Sequence, residues 1–496
     1  MEFDNDALAV MMQAFIGHIM CIDSVDSNGN TVLHDAAFIG ITACIPVLLD
    51  RGVDKESKNN NGATALHIAA SKGHAECIRV LLDRGAAKEN KNNNGATALH
   101  IAAAKGHTAC IHVLLDKGAD KESKNNNGVT ALHIAAAKGH TECISVLLDR
   151  GADKESKDND GDTALYAAAA KGHTACIVLI LDRGADKESK NNNDVTALHI
   201  AAAKGHTECI SVLLDRGADK ESKDNNGATA LHIAAAKGHT ECISVLLDRG
   251  ADKESKDNNG YTALHYAAFE GHAACIVLIL DRGADKESKN NIGFTALHIA
   301  AAKGHTECIS VLLDRGADKE SKDNNGYTAL HSAAFKSHVQ STRLLLDRQA
   351  IIDEDKIERI PHQECKQMIT DEIQHRQQRA VFDSFINHHI EYPLYIRKIY
   401  LTCYPSGDLQ VAKPQVGWPR AEAIRNKYFF DEILFYVHLH VANVLWKKYL
   451  LRIASARTGA SLVSDFKDYL AKNSNDTSTL MTVLSDRLKM YLKPKL

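Results

Sequence analysis

No charge of one sign dominates this sequence. Its 59 Lys and Arg stand against 63 Asp and Glu, which gives a formal net charge of −4 over 496 residues. A polyanionic tail protein or a general nucleic-acid binder needs an excess of one sign, so the balance argues against both classes. Apolar residues make up 44% of the chain, which is enough for a buried core.

The chain also lacks an uncharged apolar run of bilayer length. Its most apolar stretch, residues 428–446, contains Asp431 and Glu432, and such groups are costly inside a membrane. The first residues include Glu2 and Asp4, the reverse of the basic start of an export signal. We therefore predict no membrane contact and expect a cytoplasmic protein, with a nuclear location left open.

A third absence concerns catalysis. The sequence shows no nucleophile with matching base and acid partners and no phosphate-binding loop. We predict no catalytic residue, no cofactor and no enzymatic activity. An unrecognised enzyme in the last part of the chain is the least supported hypothesis.

The composition changes near residue 350. Beyond it lie only 3 of the 31 Gly, but 6 of the 7 Pro and 17 of the 27 aromatic residues. The first 350 residues carry 38 Lys and Arg against 46 Asp and Glu, whereas the remainder carries 21 against 17. Such a shift marks a domain boundary. We predict a second, mainly helical domain over residues 351–496.

The first region contains a 33-residue repeat without insertions. Each copy opens with Thr-Ala-Leu-His or a near variant. The ten opening threonines are Thr31, Thr64, Thr97, Thr130, Thr163, Thr196, Thr229, Thr262, Thr295 and Thr328. The copies they open, over residues 31–350, are called units 1 to 10. Residues 1–30 are interpreted as a degenerate half-unit that caps the stack.

One unit predicts two short helices and a turn. Thr130 is a suitable N-cap for the first helix, and Gly139 suits its left-handed end. Thr141 is predicted to cap the second helix, which Gly151 ends. The pair Asn127-Gly128 favours a tight turn. Helices of about ten residues are unstable alone in water, so each unit must stack on its neighbours.

These motifs identify the chain as similar to ankyrin-repeat proteins, whose units resemble Gly-x-Thr-Pro-Leu-His-x-Ala-Ala-x-x-Gly-His followed by Leu-Leu and Gly-Ala-Asp. The resemblance covers about residues 31–350. It implies an all-α solenoid with β-turn arms that binds other proteins and has no catalytic role. One departure is that Ala, or Val32 in unit 1, replaces the family's Pro.

Cysteine and histidine are numerous because the repeat multiplies them. Nine Cys share one position on the predicted buried face of the second helix: Cys44, Cys77, Cys110, Cys143, Cys176, Cys209, Cys242, Cys275 and Cys308. A helix spacing of about 8–10 Å keeps consecutive copies too far apart for disulfides. His140 and Cys143 could supply two zinc ligands, but a second pair would have to converge on them. We predict a structural role and no metal site.

Candidate binding residues are those that vary while the repeat stays constant. The position before each Thr holds Tyr261, Phe294 and Tyr327 in consecutive copies, here called the aromatic stripe. Phe269 and Phe335 are predicted to flank it. Clustered aromatic residues are typical of binding hot spots. Two coverings are open, a partner protein or the chain's own C-terminal region.

A lysine ladder lies eight residues after most of the threonines. Its members are Lys72, Lys105, Lys138, Lys171, Lys204, Lys237, Lys303 and Lys336. Lys237, Lys303 and Lys336 are near the aromatic stripe in sequence and are candidates for contact with an acidic partner. The alternative is a solvated helix end placed favourably in the helix dipole.

The sequence therefore predicts a monomeric, non-enzymatic scaffold that binds a partner protein of unknown identity, with no nucleic acid or membrane contact. A second hypothesis is a substrate adaptor for a ubiquitin ligase. It rests on the segment Tyr392-Pro393-Leu394, which faintly resembles the start of the ligase-recruiting segment that often ends viral ankyrin proteins.

Overall fold

A computed structural model describes residues 24–389 of the chain, and its secondary structure there is helical, without strands. The helices of units 1 to 5 are α1 Val32–Ile39, α2 Cys44–Asp50, α3 Ala65–Lys72, α4 Ala75–Asp83, α5 Ala98–Lys105, α6 Thr108–Asp116, α7 Ala131–Lys138, α8 Thr141–Asp149, α9 Ala164–Ala170 and α10 Thr174–Asp182. Those of units 6 to 10 are α11 Ala197–Lys204, α12 Thr207–Asp215, α13 Ala230–Lys237, α14 Thr240–Asp248, α15 Ala263–Glu270, α16 Ala273–Asp281, α17 Ala296–Lys303, α18 Thr306–Asp314, α19 Ala329–Phe335 and α20 Val339–Asp347. A 3₁₀ helix, Glu354–Arg359, and α21, Gln363–His389, follow. The prediction of an all-α solenoid is confirmed.

The first helix of a unit begins at its threonine, as the sequence predicts. In α13 the backbone of Thr229 is extended, and its N–H donates to Nδ1 of His232 at 3.1 Å. The threonine side chain in turn accepts from the N–H of His232. Gly238 ends the helix at φ 76°, a left-handed conformation that glycine adopts without strain.

The second helix begins differently from the prediction. Thr141 is the first residue of α8 rather than its cap, and His140 stands in the cap position without capping through its side chain. The His140 ring has another task, because its Nε2 donates to the carbonyl of Ala104 in the preceding unit at 3.4 Å. The residue that precedes the second helix therefore joins two units.

The arms between units are tight turns, as the Asn-Gly pair predicts. The Gly128 N–H donates to the Asn125 carbonyl at 3.0 Å. Oδ1 of Asn125 accepts from the N–H groups of Asn127 and Val129 at 2.9 and 3.0 Å. Consecutive arms are linked by the N–H of Asn126, which donates to the carbonyl of Asn94 at 3.2 Å. Each arm is thus held by its own side chain and by its neighbour.

The core is a continuous band of small and branched apolar residues. In unit 8, Leu264, Ala268, Cys275 and Ile276 are all buried. Alanine on the first helix allows close approach, while cysteine and isoleucine fill the space beside the second helix. Because each unit buries its face only against neighbours, stability is a property of the stack.

The first compact unit of the chain runs to Glu372, beyond the boundary predicted at residue 350. Ile357, Ile360 and Cys365 are buried at the end of the stack, and Thr342 Oγ1 lies 3.8 Å from Cys365 Sγ. Residues 362–365 read His-Gln-Glu-Cys, like the His-Thr-Glu-Cys that opens α18. The stack therefore continues past unit 10 into the 3₁₀ helix and the start of α21.

Two sequence predictions concern residues outside the described range. The capping half-unit predicted for residues 1–30 falls mostly there, as does most of the helical domain predicted for 351–496. Within residues 24–389 no helix is both long and apolar enough to span a bilayer.

Candidate protein-binding surface

Histidine rings place the aromatic stripe. His232 Nε2 donates to the carbonyl of Tyr261 at 3.0 Å, and His265 Nε2 donates to the carbonyl of Phe294 at 3.0 Å. Because the stripe residue immediately precedes a threonine whose N–H is bound by the next histidine, its backbone is held from both sides. The repeat therefore presents one side chain per unit at the same place.

Each stripe ring lies against the histidine of the unit that it precedes. The ring centroids of Tyr261 and His265 are 5.6 Å apart, and those of Phe294 and His298 are 5.5 Å apart and stacked. Among the described aromatic residues, no ring contact joins one stripe member to another. The stripe is thus a row of separate contacts at repeat spacing rather than a stacked column.

The stripe side chains are half-buried. Tyr261, Phe294 and Tyr327 each keep part of their surface exposed, and each N–H is held by an Asx turn. For Phe294 the acceptor is Asn290 Oδ1 at 2.8 Å. A fixed backbone lowers the conformational entropy that the arm loses when a partner covers it.

The two flanking phenylalanines behave differently. Phe335 packs edge-to-face on Tyr327, with centroids 5.1 Å apart, so it joins the stripe. Phe269 is more exposed, and the Nζ of Lys303 lies 3.7 Å from its ring centroid. The structure therefore brings Phe335 to the stripe and gives Phe269 a cation–π partner from the next unit.

Ile292 is a surface residue that the sequence reasoning did not select. Its side chain is 52% exposed at the tip of the arm that carries Phe294. In other units this position holds Asn or Asp, as in Asn259 and Asn325. That contrast was visible in the sequence, because a polar arm tip is replaced by an isoleucine in one copy only.

The last stripe member is covered in part by the chain itself. Arg359 donates to the hydroxyl of Tyr327 at 3.1 Å, and the Nζ of Lys356 lies 5.0 Å from the Tyr327 ring centroid. Both residues belong to the 3₁₀ helix after unit 10. Tyr327 thus contacts the segment that follows unit 10, whereas Ile292 is 52% exposed, and the choice between the two predicted coverings of the stripe stays a prediction.

The three candidate lysines are exposed. Lys303 contacts the Phe269 ring, as described. Within the described residues, Lys237 and Lys336 have no ion pair. Lys303 is the last residue of α17 in unit 9, the unit after the one that carries Phe269. Lys336 directly follows Phe335, the last residue of α19 in unit 10.

The repeated histidines and cysteines point to different partners. In unit 4, Nε2 of His140 donates to a backbone carbonyl, whereas Cys143 Sγ lies 3.4 Å from Thr108 Oγ1. Burial raises the pKa of the Cys110 thiol to about 12 and lowers the pKa of the His265 ring to about 4. Residues 24–389 contain no group of three or more His, Cys, Asp or Glu arranged to hold a metal.

Comparison with known proteins identifies the family. The profile described as "Ankyrin repeats (3 copies)" matches seven overlapping segments, residues 5–93, 33–125, 84–158, 118–191, 150–224, 198–290 and 278–356. The chain therefore belongs to the ankyrin repeat family, whose members mediate binding to protein partners and are typically non-enzymatic.

Two solved structures resemble parts of the chain. The human ASB11 ankyrin repeat domain is 31% identical, with a TM-score of 0.41 over 45% of this chain and 99% of that one. The ankyrin repeat domain of Bcl-3, a unique member of the IkappaB protein family, is 29% identical, with a TM-score of 0.40 over 45% of this chain and 100% of that one. No curated protein matches the chain.

Proposed function

We propose that this protein is a non-enzymatic scaffold that captures a partner protein with units 8 to 10. The proposed binding surface consists of the aromatic stripe, Ile292, Phe269 and Phe335, with Lys303 and Lys336 at its edge. A partner that carries an apolar side chain beside a carboxylate suits this combination of apolar and cationic groups. We expect a monomer in the cytoplasm.

One observation carries the proposal. Ile292 is 52% exposed on a turn that holds Phe294, although an asparagine in its place satisfies the same turn in units 7 and 9. Its N–H donates to Asn290 Oδ1 at 3.1 Å, a contact that any residue could make. The fold does not need an apolar side chain at this position. Binding to a partner is therefore the physical reason that we give for an exposed isoleucine there.

The test compares matched substitutions in the full chain. Ile292→Asn with Phe294→Ala removes the apolar arm, and Asn127→Ala with Val129→Ala changes the same two positions of the arm before unit 4. Proteins retained by each immobilised variant are identified by mass spectrometry, and melting is followed by circular dichroism. We expect the first variant to lose a protein that the wild type and the control retain, with melting temperature changed by less than about 3 °C.

Two results would count against the proposal. Equal retention by all three proteins would place the binding surface elsewhere. Loss of retention together with a fall of about 10 °C in melting temperature would instead assign Phe294 a structural role. The adaptor hypothesis concerns Tyr392-Pro393-Leu394, which lies outside the described residues, and it stays a prediction.

A further inference from the structure

One junction of the array lacks a hydrogen bond that the other eight have. At those eight, the histidine three residues after a threonine donates Nε2–H to the carbonyl before the next threonine, at 2.9–3.2 Å. Unit 5 has Tyr166 in place of this histidine. In the described structure no side-chain hydrogen bond joins Tyr166 to the carbonyl of Val195, so the first helix of unit 5 is not linked there to the backbone that leads into Thr196 of unit 6.

A second kind of bridge is missing at the same junction. The histidine before each second helix donates Nε2–H to the carbonyl at the end of the preceding unit's first helix, at 3.0–3.4 Å in eight cases. The described structure has no such bond between His206 and the carbonyl of Ala170. Helix α9 ends at Ala170, whereas its neighbours α7 and α11 end at the following lysine position.

The backbone at this junction is also strained. The arm between units 5 and 6 has Asp194 at φ 57°, where the other arms have a glycine with positive φ. A side chain in the left-handed region carries a conformational cost that glycine does not. The substitutions Tyr166 and Asp194 therefore weaken one junction in two independent ways.

Other links across the junction persist. Arg216 pairs with Asp182 at 2.5 Å. Thr174 Oγ1 lies 3.4 Å from Cys209 Sγ, close to the 3.3 Å of the equivalent Thr207–Cys242 contact. The two units thus stay in register along their second helices and arms. What they lose is the two histidine hydrogen bonds that involve the first helix of unit 5.

We propose that the array contains a seam between units 5 and 6, at which it opens more often than at its other junctions. Stability in a repeat array is a sum of unit and junction contributions, so the junction with the fewest links opens first. Units 7 to 10 keep both histidine bridges at every junction among them. Opening at the seam therefore leaves the block with the aromatic stripe intact.

The seam is tested by native-state hydrogen exchange of the full chain. Two amides make the same bond between consecutive arms. Asn192 N–H, in the arm that leads into unit 6, donates at 3.1 Å to the Asp160 carbonyl in the arm that leads into unit 5, so this bond lies beside the seam. Asn258 N–H, in the arm that leads into unit 8, donates at 3.0 Å to the Asn226 carbonyl in the arm that leads into unit 7. After correction for intrinsic rates, we expect Asn192 to exchange at least ~10-fold faster than Asn258.

Two variants assign the cause. Tyr166→His with Asp194→Gly restores both missing features, and we expect the protection of Asn192 to rise to that of Asn258. His199→Tyr copies the substitution to the next junction, and we expect faster exchange of Asn225, whose N–H bonds to the Asn193 carbonyl at 3.2 Å. Equal protection of Asn192 and Asn258 in the unmodified chain, or no gain in the restored variant, would overturn the proposal. The restored variant keeps the test valid even where His199→Tyr fails to fold.

Discussion

Units 7 and 9 are identical over all 33 residues, 229–261 and 295–327, and unit 8 between them is not. Unit 8 keeps its threonine, both histidines, the helix-ending glycine and the cysteine. It changes at Tyr266, Phe269, Glu270, Ile292 and Phe294, among other positions. The comparison teaches that the repeat constrains residues that join units and leaves the arm tip and the end of the first helix free to differ.

The burial of an aspartate at one repeat position also depends on the residues around it. Asp257 and Asp323, which precede tyrosines of the stripe, are buried, whereas the equivalent Asp224 before Ala228 is only half-buried. Asp257 also accepts a hydrogen bond from the Tyr266 hydroxyl at 2.8 Å. A change in one unit therefore alters the environment of an unchanged residue in another.

The largest effect we expect is a loss of stability at acidic pH, caused by protonation of the buried histidines. Burial lowers the pKa of eight histidines below 6.5: His67, His100, His133, His199, His232, His265, His298 and His331. Between pH 6.5 and about 4 the unfolded chain binds protons that the folded chain does not, so stability falls as the pH drops through this range. For His265, with a pKa of about 4, the full loss in the free energy of unfolding is roughly 3 kcal/mol.

Urea denaturation at pH 7.5 and pH 5, followed by circular dichroism, measures this loss. Replacing His265 with Gln supplies the control, since that variant should be less stable at pH 7.5 but lose less on acidification. A midpoint that does not move between the two pH values would contradict the neutral ring that the geometry requires, in which Nδ1 accepts from the threonine N–H.

A core substitution should have the next largest effect. Leu246 in unit 7 is fully buried, so Leu246→Ala removes contacts and leaves a cavity. We expect a loss of about 2–5 kcal/mol in the free energy of unfolding. Phe294→Ala, measured in parallel, should cost much less because the ring is only half-buried. Similar losses in both variants would show that the stripe is part of the core.

Two glycines with the same backbone conformation should differ in cost. Gly238 and Gly184 both have φ 76°, so alanine at either position meets strain of roughly 1–2 kcal/mol. A Cβ at Gly238 would lie 2.8 Å from the His272 ring, whereas a Cβ at Gly184 meets no atom within 4 Å. We expect Gly238→Ala to lower the urea midpoint more than Gly184→Ala. Equal midpoints would mean that the His272 ring moves aside freely.

The smallest effect should come from the exposed ion pairs between second helices. Arg249 pairs with Asp215, and both side chains are largely exposed. Such pairs contribute about 0–1 kcal/mol and are screened by salt. We expect Arg249→Ala to shift the melting temperature by only a few degrees at low salt and less in 0.5 M NaCl. A shift as large as that of Leu246→Ala would show that this row of pairs, rather than the core, holds the units together.

Much of the fold could be predicted from the sequence, because the repeat states the same local rule ten times. The threonine caps and the glycine ends agree with the prediction. The prediction that Thr141 caps the second helix was wrong, because the sequence alone does not show that the His140 ring bonds to the preceding unit. The continuation of the stack to Cys365 was missed, because this cysteine falls outside the 33-residue period.

The candidate surface could be predicted only in part. The position of the stripe follows from the repeat, but its coverage does not, since the contact of Arg359 with Tyr327 depends on how the chain turns after unit 10. Tyr166 and Asp194 were visible as departures from the repeat. That they weaken a junction could be inferred only from the hydrogen bonds that the other junctions make.

The most direct test of the central claim is site-specific photo-cross-linking at the arm tips. A photo-reactive amino acid is placed at Ile292 in one protein and at Asn127 in another, both as full chains, and cross-linked proteins are identified after irradiation in cell extract. We predict a discrete cross-linked partner from position 292 that is absent from position 127 and is lost when Phe294→Ala is added. The same cross-links from both positions would contradict the claim that units 8 to 10 carry the binding surface.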